Sequence, residues 1–219
     1  MNHTYHTQSQ AFVTASAADP VPLLKKGVLI ASLFRSPVYS IKSNITMKNN
    51  QTLPVAIIGG GPVGLAAAAH LTIRNIPFIL FEAGETVVAN IRSWEHVRVF
   101  SPWRYNIDKA ARQLLEATSW IAPEDDVLPT GKELYNRYFQ PLANLAVLKP
   151  HIHTGSRVMA VGRKNMDKMK SWGREERPFV IQVNHQDEGA QLYEAKAVID
   201  ASGTWNSPNP IGSGGVFAV

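Results

Sequence analysis

Cysteine is absent from all 219 residues. Disulfides, thiolate metal sites and thiol nucleophiles are thereby excluded, which suits a reducing compartment, and a cytoplasmic location is expected. Long apolar runs are missing too: none approaches the roughly 20 residues that a membrane-spanning helix needs, so no membrane partner is expected. The formal net charge of +5 is mostly local. Lys25, Lys26, Arg35 and Lys42 face only Asp19 within residues 1–46, the rest of the chain is nearly balanced, and no basic stripe carries interleaved aromatics. A nucleic-acid partner is therefore not expected.

What remains is the composition of a packed globular chain, 45% hydrophobic and 18% charged. Three segments are expected. Residues 1–46, rich in Ser, Thr, Gln and Ala, resemble a disordered or extraneous extension, and the PLLKKGVLIASLF stretch within them is a poor match to a targeting signal. Residues 47–212 form one α/β domain that begins at Met47, and residues 213–219 are a short tail.

The domain opens on VAIIGGGPVGLAAA. Val55 to Ile58 is an apolar run suited to a strand buried on both faces, and GPVGLAAAAHLTIRN has helical spacing, with Val63, Ala67 and Leu71 on one side. Asn75 and Pro77 stop the helix and FILFE supplies a second parallel strand. In this context Gly59 makes the tight turn, Gly61 lets a pyrophosphate approach bare backbone, and Gly64 lets the helix lie close on the sheet. The helix mouth favours an anion, and Pro62 loses nothing there because its missing N–H falls where no intrahelical partner exists. Eighteen residues after Gly64 stands Glu82, placed to hold the two ribose hydroxyls of an adenosine and to repel a 2′-phosphate. The signature indicates an ADP-containing dinucleotide; it does not separate FAD from NAD.

Downstream, Thr130 and Glu133 form a capping box ahead of a helix that Pro141 should kink. The segment from Ile152, PFVIQVN and AKAVIDASG are strand candidates, and KNMDKMKSWGREER is a solvated hairpin loop. Glu124, Asp125 and Asp126 are expected to form a solvated loop. Other chemistry finds no support. His151 and His153 have no third metal ligand nearby, no G-x-S-x-G elbow occurs, and neither Tyr135 nor Tyr193 is followed four positions on by the lysine of a short-chain dehydrogenase.

The stretches AVIDASGTWNSPNP, IRSWEHVRVFSPWRYNID and LPTGKELYNRYFQPLANL, together with the glycine fingerprint, resemble the flavin-containing monooxygenase-like group of flavoproteins with two dinucleotide-binding domains. Ser202 stands where that group has threonine. The resemblance covers about residues 54–212 and implies a Rossmann-like FAD-binding domain, a parallel sheet plus a small antiparallel β-meander. It also implies that Gly59, Gly61, Pro62 and Gly64 hold the FAD pyrophosphate and Glu82 its ribose, with Ala201 and Gly203 at the second signature. Arg92, Trp94, Ser101 and Arg104 would lie along the flavin side, where the aromatics could wall the ring or serve as core cover, and backbone at Val158 would meet the adenine.

Complete members continue into a second glycine fingerprint for NADPH, and IGSGGVFAV is not one, having no strand before it and no helix after it. The chain is therefore expected to be incomplete relative to the family: the FAD-binding portion of an NAD(P)H-dependent oxidoreductase acting on a small-molecule substrate, or a non-catalytic dinucleotide-binding module. A complementing chain or C-terminal half would supply the rest.

Overall fold

A computed structural model describes residues 53–205. The expectations for residues 1–46, for the start at Met47 and for the tail lie outside them. The first strand, β1 (Val55–Ile58), runs into helix α1 (Pro62–Ile73) and returns as β2 (Phe78–Phe81), parallel to β1 in the register Val55 to Phe78 through Ile58 to Phe81. Between β2 and the next strand lies a helical stretch: α2 (Ala89–Arg92), α3 (Trp103–Asn106), α4 (Lys109–Glu116), α5 (Gly131–Leu134) and α6 (Gln140–Ala143). Strand β3 (Ile152–His153) then joins the outer side of β2. An antiparallel meander follows, β4 (Ser156–Arg163), β5 (Phe179–His185) and β6 (Gly189–Ala195), before β7 (Ala197–Asp200) returns to pair in parallel with β1. The parallel sheet has the order β3-β2-β1-β7 and the meander is a separate sheet.

Alternation along these short strands builds the layers. Val55 and Ile57 of β1, with Phe78 and Leu80 of β2, share one apolar cluster with Leu65, Ala68 and Ala69 of α1 and with α4 and the α5–α6 region. Ala56 and Phe81 point into a second cluster with Ile181, Val183 and Ala195 of the meander. The parallel sheet is thus covered on both faces, as such sheets require.

The structure corrects the expected face of α1. Its buried residues are Gly64, Leu65, Ala68 and Ala69, whereas Val63 is 68% exposed. Gly64, Ala68 and Ala69 let the helix lie close to the strands with Leu65 buried beside them, while Ala67 and Leu71 are partly buried against the same cluster. Asn75 ends the helix as expected: at φ 54° it lets its own N–H reach Thr72 O at 3.0 Å and that of Ile76 reach Leu71 O at 3.0 Å.

The Thr130–Glu133 capping box forms in full. Ahead of Pro141 the helix it opens widens into a π-helical turn over Tyr135–Phe139 that passes into α6. Pro141 has no N–H for the carbonyl of Arg137, and the Trp120 indole donates to that oxygen at 2.7 Å. The alternating run from Ile152 is two strands rather than one, parted by a corner in which Gly155 sits at φ 59°. No helix of the described residues is long and apolar enough to cross a membrane.

Candidate functional site

The turn between β1 and α1 brings the predicted residues together. Gly59 stands at φ 98°, and a side-chain carbon on it would lie 2.6 Å from the carbonyl oxygen of Ala201. Gly64 is packed just as tightly, its virtual Cβ falling 1.9 Å from Gly59 O. Gly61 differs. At φ −75° it is conformationally ordinary, and a Cβ there would meet nothing within 4 Å. Nothing among the described residues demands glycine at this position, so the open space beside it is where an external group can touch backbone. Pro62 occupies the first helical position, and Leu65 N–H is bonded back to Gly61 O at 2.9 Å. The amides of Gly61, Val63 and Gly64 consequently have no acceptor inside the helix and point out of its mouth.

Glu82 follows β2 directly and turns its carboxylate onto this mouth. One oxygen accepts the Gly60 amide at 2.6 Å and the other accepts that of Gly84 at 2.7 Å. Gly60 and Gly84 were not singled out in the sequence, although the Glu82-x-Gly84 spacing is the signal that marks the second. Gly60 also accepts at its carbonyl from Val88 N–H at 2.9 Å, tying the β2–α2 loop to the turn. On the opposite side the end of β7 closes in: Ala201 N–H reaches Ile58 O at 2.8 Å. The Asp200 carboxylate accepts from both the amide and the hydroxyl of Ser202, and these two bonds hold it below the ordinary carboxylate range. Gly203 then takes φ 68°. A serine hydroxyl makes this turn, so replacing the expected threonine leaves it intact.

The remaining predicted positions lie elsewhere. Val158 joins the second apolar cluster by its side chain, and a register shift between Val158 and Ala160 interrupts the ladder beside it. Arg92 lies exposed at the end of α2 with its guanidinium 5.0 Å from the Tyr135 ring centre. Trp94 packs over Gly131, where a Cβ would be 2.9 Å from its ring. Ser101 is bonded to Asn106 through both hydroxyl and carbonyl. Arg104 is paired with Asp126 and stacked on Tyr105, and Arg112 reaches Asp125 at 2.7 Å. The 124–126 loop is exposed, as expected, and two of its acids also pair with arginines. Among the described residues no group of acids and histidines could hold a metal ion.

Two cavities lie away from the glycine turn. One, of about 480 Å³, lies against the β3–β4 corner and the β5–β6 turn; the other, of about 770 Å³, lies on the outer face of the meander. The turn, an open ledge rather than a cavity, is still the better candidate. There, among the described residues, unpaired amides, a helix mouth and a carboxylate converge.

The family model described as pyridine nucleotide-disulphide oxidoreductase matches residues 56–217. The chain belongs to this family. Solved structures of similar fold include the bacillithiol disulfide reductase of Bacillus cereus, with TM-score 0.55 and 23% identity over 75% of this chain and 43% of that one. OTEMO in an FAD-bound form gives TM-score 0.52 and 18% identity over 75% of this chain and 28% of that one. A steroid monooxygenase bound to NADP gives TM-score 0.51 and 18% identity over 70% and 26%. At these identities the likeness is one of fold, and the chain spans less than half the length of each. Comparison with curated proteins gives no match. The parallel sheet with its separate meander is thus a fold shared with these solved structures, and this family member carries its glycine turn and acid in one place.

Proposed function

We propose that this family member binds FAD at the α1 mouth as the flavin half of an NAD(P)H-dependent oxidoreductase, and that the reaction is of monooxygenase type on a small-molecule substrate. The observation that carries the proposal is the placement of the Glu82 carboxylate 2.6 Å from the Gly60 amide, at the mouth where Gly61 leaves open space. The free amides of Gly61, Val63 and Gly64 would hold the pyrophosphate. Glu82 would exchange an amide partner for the ribose hydroxyls and, being anionic, disfavour a 2′-phosphate. The second signature, Ala201 to Gly203, would close the opposite wall, and backbone at the Val158 irregularity would face the adenine. On the flavin side Arg92 is the better candidate, because Arg104 already has its carboxylate in Asp126. Bound FAD would supply the redox chemistry, taking electrons from a nicotinamide donor and passing them on.

The NADPH site and the substrate pocket would come from a further part of the protein or from a complementing chain, with the whole working in the cytoplasm. The test is the visible spectrum of the purified full chain. Flavin bands near one per chain, bleached by NADPH in the presence of the complementing half, are expected. A colourless protein that still binds ADP would point to a non-catalytic module, and one that binds neither would end the nucleotide assignment.

A further inference from the structure

Ser156 is the single buried polar residue among those described, 1% exposed at the start of β4. Its hydroxyl donates to Thr154 O at 2.9 Å and lies 2.9 Å from Nδ1 of His185. A hydroxyl has one hydrogen, so the second bond runs the other way, from the protonated ring nitrogen to Ser156 Oγ. The far nitrogen of the ring, Nε2, is 2.8 Å from the Tyr193 hydroxyl. His185, on β5, is therefore clamped between β4 and β6.

The main chain of this corner reaches the site. Ser156 N–H donates to Glu82 O at 2.8 Å, Glu82 N–H donates to His153 O at 2.8 Å, and Gly155 N–H donates to Gly84 O at 2.8 Å. Both backbone groups of Glu82 are thus held by residues 153–156, and so is the glycine that bonds its carboxylate. Just past β5, Gln186 N–H secures the same corner through Gly155 O at 2.9 Å.

We infer that Ser156 and His185 are positioning residues for Glu82: they lock the β3–β4 corner, and the corner fixes the direction of the carboxylate that clasps the ribose. This rests on the nucleotide reading above. A brace acting through Glu82 should affect recognition of ribose hydroxyls and little else. A merely structural role would weaken every nucleotide alike.

Isothermal titration of the full chain with ADP and with 2′-deoxy-ADP separates these cases. The wild type should prefer ADP. Ser156→Ala and His185→Phe should lower that preference by about tenfold, equivalent to about 1.4 kcal/mol, while binding 2′-deoxy-ADP within about twofold of wild type. Ser156→Thr and His185→Asn, which keep the hydroxyl and a donor near the Nδ1 position, should retain it. Should Ser156→Ala fail to fold, Tyr193→Phe reads the same preference with only an outer hydroxyl removed. Equal losses for both nucleotides, or an unchanged preference, would overturn the inference. A wild type that binds neither nucleotide, or a Glu82→Gln variant with undiminished preference for ADP, would overturn the nucleotide reading and this inference with it.

Discussion

Glu82 Oε2 accepts the Gly60 amide hydrogen at 2.6 Å across 22 residues of chain. That bond joins the β1–α1 turn to the end of β2, beside the amides that α1 leaves free at its mouth. It also explains why Gly60 has no side chain: a Cβ there would lie 3.0 Å from that of Glu82. The carboxylate and the turn are fitted to each other before any ligand arrives.

Two glycines of the turn should respond differently to the same change. Gly64→Ala forces a methyl to within 1.9 Å of Gly59 O, and overpacking of this kind costs about 1–3 kcal/mol or more. Gly61→Ala meets no protein atom within 4 Å. Thermal melting should therefore fall markedly for Gly64→Ala and stay within about 1 kcal/mol of wild type for Gly61→Ala. ADP titration should show at least about a tenfold loss for Gly61→Ala despite its intact fold.

Acid should unfold the helical layer through Asp108. Burial works to raise this carboxyl, but the Ala111 amide, the His70 ring and the Ala110 amide outweigh it and hold it below its ordinary 3.8. A carboxylate whose folded value is depressed contributes stability above its unfolded value and loses that contribution as pH falls through the folded one. Circular dichroism between pH 5 and 2 should show this loss in wild type and a flatter profile in Asp108→Asn, roughly over that range. Asp108→Ala should also cost about 1 kcal/mol at neutral pH through the lost cap of α4.

Alkali should act through Tyr138. Its burial in the core pushes the phenol up from 10.0 to about 12, against the opposing bond from the Asp108 amide. A group with a raised folded value stabilises the fold below its unfolded value and loses that contribution as pH rises through the folded one. Stability should accordingly decline between pH 10 and about 12. Denaturant melts of Tyr138→Phe should lack that decline while starting from a lower plateau.

Trp120 and Pro141 should behave as a coupled pair. The indole supplies the donor that proline withholds from Arg137 O. Trp120→Phe should cost up to about 1 kcal/mol, limited by partial exposure of the site to water. In a Pro141→Ala background, where a backbone N–H becomes available, most of that cost should vanish. A double-mutant cycle with additive effects would show that the two residues act independently.

The β1–α1–β2 unit was legible in the sequence because its signals are local: an apolar run, glycines at fixed offsets, and Glu82 at the end of the next apolar run. The Thr130–Glu133 cap was legible for the same reason. Long-range matters were not. The pairing of Arg104 with Asp126 and of Arg112 with Asp125 joins α3 and α4 to the 124–126 loop, and no local pattern announces it. Strand β6, GAQLYEA, alternates too weakly to stand out, and its burial comes from β5 beside it. On α1 only Val63 of the three expected positions is exposed, because the stripe that meets the strands is centred on Gly64, Leu65, Ala68 and Ala69, with Ala67 and Leu71 partly buried against the same cluster.

Strand β1 is flanked by two partners of very different origin: Ile58 lies opposite Phe81 on one side and Asp200 on the other. During synthesis the first edge can be filled almost at once, while the second must wait until the helical stretch and the whole meander have left the ribosome. Until then an apolar strand offers a row of unsatisfied amides to any passing chain. Closure by β7 is thus the late, slow event in folding, and the interval before it is when a chaperone would be needed most.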